Sequence, residues 1–124
     1  MKLPSDAERV RVYIGETDKF EGRPLYEVIV EQARRRGLAG ATVVRGTLGF
    51  GAHSRIHSAK NLRLSEHLPM VVEIVDTPER IAAFLPELDS MIGEGLVTRE
   101  KVHVILYRHE KPQQHKSNPR GRAT

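Results

Sequence analysis

The order of apolar patterns along this chain predicts an α+β fold. Two stretches with helical spacing of apolar residues alternate with four strand-like stretches, in the order β-α-β-β-α-β. This is the ferredoxin-like arrangement, a four-stranded antiparallel sheet with both helices on one face. A long stretch without periodicity separates the second strand from the third, and the chain turns polar after about residue 108. We therefore predict one domain over residues 1–110 and a basic, disordered tail over 111–124.

The N-terminal third supplies the first strand and the first helix. Val10, Val12 and Ile14 alternate with polar residues, which is the pattern of a half-buried strand. Pro24 suits the first position of a helix, and apolar residues follow it at helical spacing. We expect Gly37 to end this helix, because glycine commonly follows the last helical turn and three arginines precede it.

The second half repeats this pattern after two further strands. Asp76 or Thr77 is suited to cap the second helix, and Pro86 within it should kink or split it. Several strands carry apolar residues at successive positions, which indicates burial of both sheet faces and hence self-association. A monomer with a partly apolar exposed sheet is the alternative. The three remaining strands are predicted over residues 41–47, 68–75 and 102–107.

Composition and charge limit the possible functions. The chain has 124 residues and no cysteine, which excludes disulfides and thiolate metal sites and favours a reducing, cytoplasmic location. It contains no apolar run long enough for a membrane helix and no signal-like N-terminus, so we expect no export. Residues 1–107 carry 15 basic and 15 acidic side chains, so the net charge of +4 comes from the tail.

One window of the sequence is basic and lacks acidic residues. Residues 32–65 contain seven Lys or Arg side chains and no Asp or Glu, around a glycine-rich stretch. Glycines allow backbone N–H groups to approach an anion closely, so the window indicates an anion-binding surface. A solvated hairpin whose charge only aids solubility is the alternative. We expect residues 48–65 to be the most mobile internal segment, ordered by a ligand or partner.

Three motifs resemble those of PII signalling proteins. Residues 40–51 read Gly-Ala-Thr-Val-Val-Arg-Gly-Thr-Leu-Gly-Phe-Gly and are similar to the strand that leads into the PII T-loop. Residues 68–75 resemble the returning strand, and Ile92-Gly-Glu-Gly95 resembles the PII B-loop. The chain looks most like the PII-like group called domain of unknown function 190. The resemblance covers about residues 8–110.

The resemblance implies a homotrimeric signalling protein that binds an adenine nucleotide in clefts between subunits. A mobile loop would act on a partner, and the gene neighbours of this group suggest ion transport through a channel or transporter. Leu96 stands where PII proteins have a phosphate-binding lysine, so AMP or ADP is favoured over ATP. We expect Gly95→Val to weaken binding while leaving the trimer intact. The candidate ligand-binding residues are Arg45, Gly49, Phe50, Gly51, Arg55, Gly93, Glu94, Gly95 and Arg108.

The sequence offers no catalytic constellation, and we predict that the protein is not an enzyme. A divalent-metal-binding trimer similar to the CutA proteins is the alternative, with His53, His57 and His67 as ligands. Loop histidines that are merely solvated also explain this pattern, and we predict no metal site. Aromatic residues make up 5% of the chain, so specific nucleic-acid recognition is poorly supported, although sequence-independent binding through the basic tail stays open.

Overall fold

A computed structural model describes residues 5–51, 56–58 and 67–109. Four strands form one antiparallel sheet in the order β4-β7-β1-β8, and two helices connect them. Two short two-stranded ladders, β2–β3 and β5–β6, complete the described structure. The elements are β1 Asp6–Gly15, β2 Lys19–Phe20, β3 Arg23–Pro24, α1 Leu25–Arg35, β4 Ala41–Arg45, β5 Leu48–Gly49, β6 His57–Ser58, β7 Pro69–Asp76, α2 Pro78–Met91 and β8 Leu96–His103.

The core lies between the two helices and one face of the sheet. The alternating residues Val10, Val12 and Ile14 of β1 are buried there, as predicted. Both helices contribute a buried apolar stripe, with Ile29 and Ile81 fully buried. This arrangement confirms the predicted ferredoxin-like α+β class.

The helix ends largely follow the predicted signals. Gly37 has a φ of +71°, the left-handed conformation that ends a helix, and it follows the C-cap of α1. Pro24 is the N-cap of α1 and the last residue of β3, so the helix begins one residue later than predicted. Thr77 caps α2, and its hydroxyl accepts the backbone N–H of Arg80 at 3.1 Å.

Asp76, the residue before this cap, is fully buried. Its carboxylate accepts the backbone N–H of Ala39 at 2.8 Å and that of Thr77 at 2.6 Å. The guanidinium of Arg80 lies 3.7 Å away. Asp76 thereby ties the residues before β4 to the start of α2.

Of the kink or split predicted for α2 at Pro86, the split is wrong, because one helix runs from Pro78 to Met91. Proline removes the hydrogen bond that Ala82 would otherwise accept, but both residues are exposed to solvent. Water can satisfy that carbonyl, so the helix continues through the proline.

The boundaries of the last strand were also predicted wrongly. β8 covers Leu96–His103, whereas residues 102–107 were expected. β8 is an edge strand that is largely exposed, so polar residues suit it, and Arg99 and Glu100 form ion pairs with side chains of β1. The apolar residues from Val104 onward leave the sheet.

The expected long loop after the second strand contains the two-residue ladder between β5 and β6, which the sequence did not predict. Residues 52–55 and 59–66 lie outside the described residues, so the mobility expected for 48–65 stays a prediction. The same holds for the tail, because residues 110–124 are also outside them. No helix in the described part of the chain is long and apolar enough to cross a membrane.

Candidate ligand-binding site

The first predicted site element is the segment that follows β4, residues 46–51, which we call the stem. The backbone N–H of Gly46 donates to the carbonyl of Pro69 at 2.7 Å, which holds the outgoing chain against β7. The guanidinium of Arg45 donates to Glu16 at 3.0 Å. Phe50 is 67% exposed, so its ring is available to a ligand or a partner. Arg55 and His53 lie outside the described residues.

The second predicted element is the turn from Gly93 to Gly95, between α2 and β8. A Cβ on Gly95 would lie 2.8 Å from the carbonyl oxygen of Tyr13, and the φ of Gly95 is +155°. The fold itself therefore requires glycine here, and Gly95→Val is not the clean probe of binding that the sequence suggested. A Cβ on Gly93 would meet nothing within 4 Å, so Gly93→Ala is the better probe.

These two elements lie at the same end of the sheet but on opposite edges. Val44, Val71, Tyr13 and Leu96 are paired in register and form one row across the open face, the face without helices. Gly46 follows one end of the row and Gly95 precedes the other. With strands about 4.8 Å apart, the three intervals separate the edges by on the order of 14 Å. One subunit alone does not bring the two glycine turns together.

A pocket of about 370 Å³ lies on the open face beside β4, and the sequence did not predict it. Gly40, Ala41 and Thr42 form one wall, while Glu73 and Val75 of β7 form its floor. The small residues at positions 40–42 leave room, and Thr42 and Glu73 supply polar groups. The size and the mixture of apolar and polar groups are typical of small-ligand sites.

The chain after β8 closes this pocket from above. The backbone N–H of Val104 donates to Ser5 at 2.6 Å, and the segment then crosses the open face. The Tyr107 hydroxyl donates to the carbonyl of Ala39 at 3.0 Å. Ala39 is therefore held by Tyr107 through its carbonyl and by buried Asp76 through its N–H.

The predicted residues within the described part of the chain thus fall into three groups. Arg108 is exposed and directly follows Tyr107, beside the pocket. Arg45 ends β4 at the opposite end from the pocket, and Gly49, Phe50 and Gly51 follow it. Gly93, Glu94 and Gly95 precede β8. The signal for the pocket was present in the run Gly40-Ala-Thr42, small residues that begin an edge strand.

The histidines do not form a metal site within the described residues, where no three metal-ligating side chains cluster. His67 Nδ1 lies 3.1 Å from the Thr17 hydroxyl. His103 is exposed and ends β8, with its Nδ1 3.7 Å from a carboxylate oxygen of Asp6.

Comparison with known proteins places the chain in a class and then in a family. The fold is shared with CPII from Thiomonas intermedia K12, a nitrogen regulatory PII-like protein whose structure was solved bound to ADP, AMP and bicarbonate. That structure superimposes with a TM-score of 0.56 at 17% identity, covering 83% of this chain and 91% of CPII. A second CPII structure, with ADP, AMP and acetate, gives a TM-score of 0.53 at 17% identity, with 84% and 92% covered. The fold is that of the PII-like proteins.

The chain belongs to the family DUF190, described as uncharacterized ACR, whose sequence model matches residues 7–104. A UPF0166 protein of Aquifex aeolicus is 43% identical over 96 residues, which cover 77% of this chain and 90% of that protein. A UPF0166 protein of Methanocaldococcus jannaschii is 37% identical over 99 residues, which cover 79% and 91%. The expected family membership is confirmed.

Proposed function

We propose that this protein is a homotrimeric, non-enzymatic regulator that binds AMP or ADP in clefts between subunits. The observation that carries the proposal is the placement of the site elements. The pocket and the stem lie along the β4 edge of the sheet, at opposite ends of that strand, and the Gly93–Gly95 turn lies at the β8 edge. Contact between the β4 edge of one subunit and the β8 edge of the next would unite them. A head-to-tail contact of this kind closes into a ring when the rotation between neighbouring subunits is one third of a full turn.

Exposed apolar residues on the open face of the sheet favour assembly of the proposed ring. Val44 and Leu96 are 49% and 57% exposed, and Tyr13 between them is 36% exposed. This apolar row lies away from the part of the open face that residues 104–107 cross, and it gains stability when a second copy covers it. Light scattering should give three times the 14.0 kDa mass of the chain. A monomer at micromolar concentration would contradict this.

The chemistry of the pocket supports an adenine nucleotide. Val75 and Leu106 offer apolar contact to a base, and Thr42 can hydrogen-bond to its edge. CPII, which shares the fold, was solved with ADP and AMP. Few phosphates are favoured because Glu94 and exposed Leu96 accompany the glycine turn, where a long phosphate chain would need cations. We expect a micromolar dissociation constant; a Kd of about 1 μM corresponds to a binding free energy of about −8 kcal/mol.

Calorimetry with AMP, ADP, ATP and Zn²⁺ tests the proposal. Thr42→Val keeps the shape of the side chain and removes its hydroxyl, so AMP affinity should fall about 10-fold. Gly93→Ala adds a methyl group where the fold leaves space, and it should weaken AMP binding without lowering stability. Ala82→Ser, on the exposed surface of α2, is the control and should bind as the parent does. Binding of Zn²⁺ without any nucleotide would instead favour the metal-binding alternative.

We further propose that residues 48–65 carry the output to a membrane transporter or channel, and that the protein acts in the cytoplasm. Leu48, Phe50 and Ile56 are 65%, 67% and 56% exposed, an unusual apolar density for a surface segment. Limited proteolysis should cut this segment more slowly when AMP is present. Equal cleavage rates would argue against ligand-dependent ordering.

A further inference from the structure

The pocket proposed to take an anionic nucleotide contains a carboxylate. Glu73 is directly opposite Thr42 in the register of β7 and β4, and its side chain is 33% exposed. An unbalanced carboxylate repels a phosphate-bearing ligand, and partial burial strengthens this repulsion. The pocket would therefore disfavour a nucleotide unless another group compensates the charge of Glu73.

Arg11 supplies this compensation from the neighbouring strand. It is the cross-strand partner of Glu73 in β1, and its Nε–H donates to Glu73 Oε2 at 2.8 Å. This hydrogen bond is the main cause that raises the pKa of Arg11 above its usual range, so the guanidinium stays charged. The Arg11 side chain does not line the pocket itself. It faces Glu73 from the side away from β4.

The pair continues into a ladder of alternating charge on the open face. Nη1 of Arg11 lies 3.9 Å from Oε1 of Glu100 in β8, and Nη2 of Arg9 donates to Glu100 Oε2 at 2.6 Å. The ladder Glu73, Arg11, Glu100 and Arg9 has no net charge. Because Glu100 and Arg9 balance each other, Arg11 remains available to balance Glu73.

We infer that Arg11 is a specificity-determining residue that makes the pocket accept an anionic nucleotide by holding and neutralising Glu73. The inference rests on the proposed function. Without Arg11, the pocket would carry one uncompensated negative charge. That charge acts on the phosphate of AMP but not on adenosine, so the ratio of the two affinities measures the role of Arg11.

Calorimetry with AMP and adenosine on four proteins tests this inference. Arg11→Gln should weaken AMP binding about 10-fold and adenosine binding less than about 3-fold. The double variant Arg11→Gln/Glu73→Gln removes both charges and should restore the parent's ratio of affinities. Arg99→Gln is the matched control, because Arg99 forms a similar cross-strand pair with Glu8, but close to α2. Its ratio should not change.

The single variant Glu73→Gln keeps the test valid if Arg11→Gln fails to fold. It should bind AMP at least as well as the parent, since it removes only the repelling charge. Loss of AMP binding in Glu73→Gln would overturn the inference, because the carboxylate would then itself hold the ligand. An unchanged ratio in folded Arg11→Gln would overturn it too. If the parent binds neither AMP nor adenosine, the proposed function fails first and the inference falls with it.

Discussion

Substitution of the buried carboxylate of Asp76 should destabilise the fold strongly. Asp76→Ala removes the acceptor of two backbone N–H groups, those of Ala39 and Thr77. Hydrogen bonds to a charged group contribute about 1.5–3 kcal/mol each, and we take the lower value because the donor residues Ala39 and Thr77 are only partly buried. The free energy of unfolding should therefore fall by about 3 kcal/mol.

Urea denaturation followed by circular dichroism, at one fixed protein concentration, measures this effect. With a slope of about 1.5 kcal/mol per M, the midpoint should fall by about 2 M. Asp76→Asn keeps one acceptor and should fall between the parent and Asp76→Ala. Asp89→Ala, at an exposed position of α2, should stay within about 0.5 kcal/mol of the parent. A midpoint for Asp76→Ala equal to that of Asp89→Ala would refute the reasoning.

Three other substitutions test further features of the fold. Gly95→Ala should lower the free energy of unfolding by on the order of 1–3 kcal/mol, because its Cβ would clash with the carbonyl of Tyr13. A urea midpoint equal to that of the parent would contradict this. Pro86→Ala should stabilise α2 by about 1–3 kcal/mol, seen as a higher urea midpoint; a lower midpoint would mean that the proline is required. The Arg23 hydrogen bond lowers the pKa of Glu31, so Arg23→Gln should raise that pKa in an NMR titration. Arg23→Gln should lower the free energy of unfolding at neutral pH, and this loss should disappear as the pH falls through the folded-state pKa of Glu31. A loss that does not depend on pH would exclude this ion pair as its cause.

The fold class could be predicted because its signals are local. Alternation in β1 and the cap at Thr77 depend on residues close together in the sequence, and the structure confirms both. The position of β8 depends on distant partners. Arg99 and Glu100 look like surface residues until β1 places Glu8 and Arg9 beside them. The denser apolar run after His103 therefore misled the prediction.

The pocket could not be predicted for a similar reason. Its roof comes from residues after β8, and the hydrogen bond from Tyr107 to Ala39 joins positions 68 residues apart. Nothing in either local sequence indicates the other. The sequence also cannot distinguish the roles of Gly93 and Gly95. Of these two glycines, only Gly95 has a neighbour that a Cβ would clash with. Which of the two serves a ligand depends on what packs behind each.

The basic window shows how charge in sequence differs from charge in space. Between residues 32 and 65 no acid appears, yet Arg45 pairs with Glu16 and Arg36 pairs with Glu87. Both carboxylates come from outside the window, so the excess of positive charge is smaller than the sequence suggests. Arg34 and Arg35 lie in the last turn of α1, where they interact favourably with the negative end of the helix dipole. Because these cations are engaged elsewhere, the proposed site would rely on glycine backbone N–H groups to contact a phosphate, which agrees with our proposal of a ligand with few phosphates.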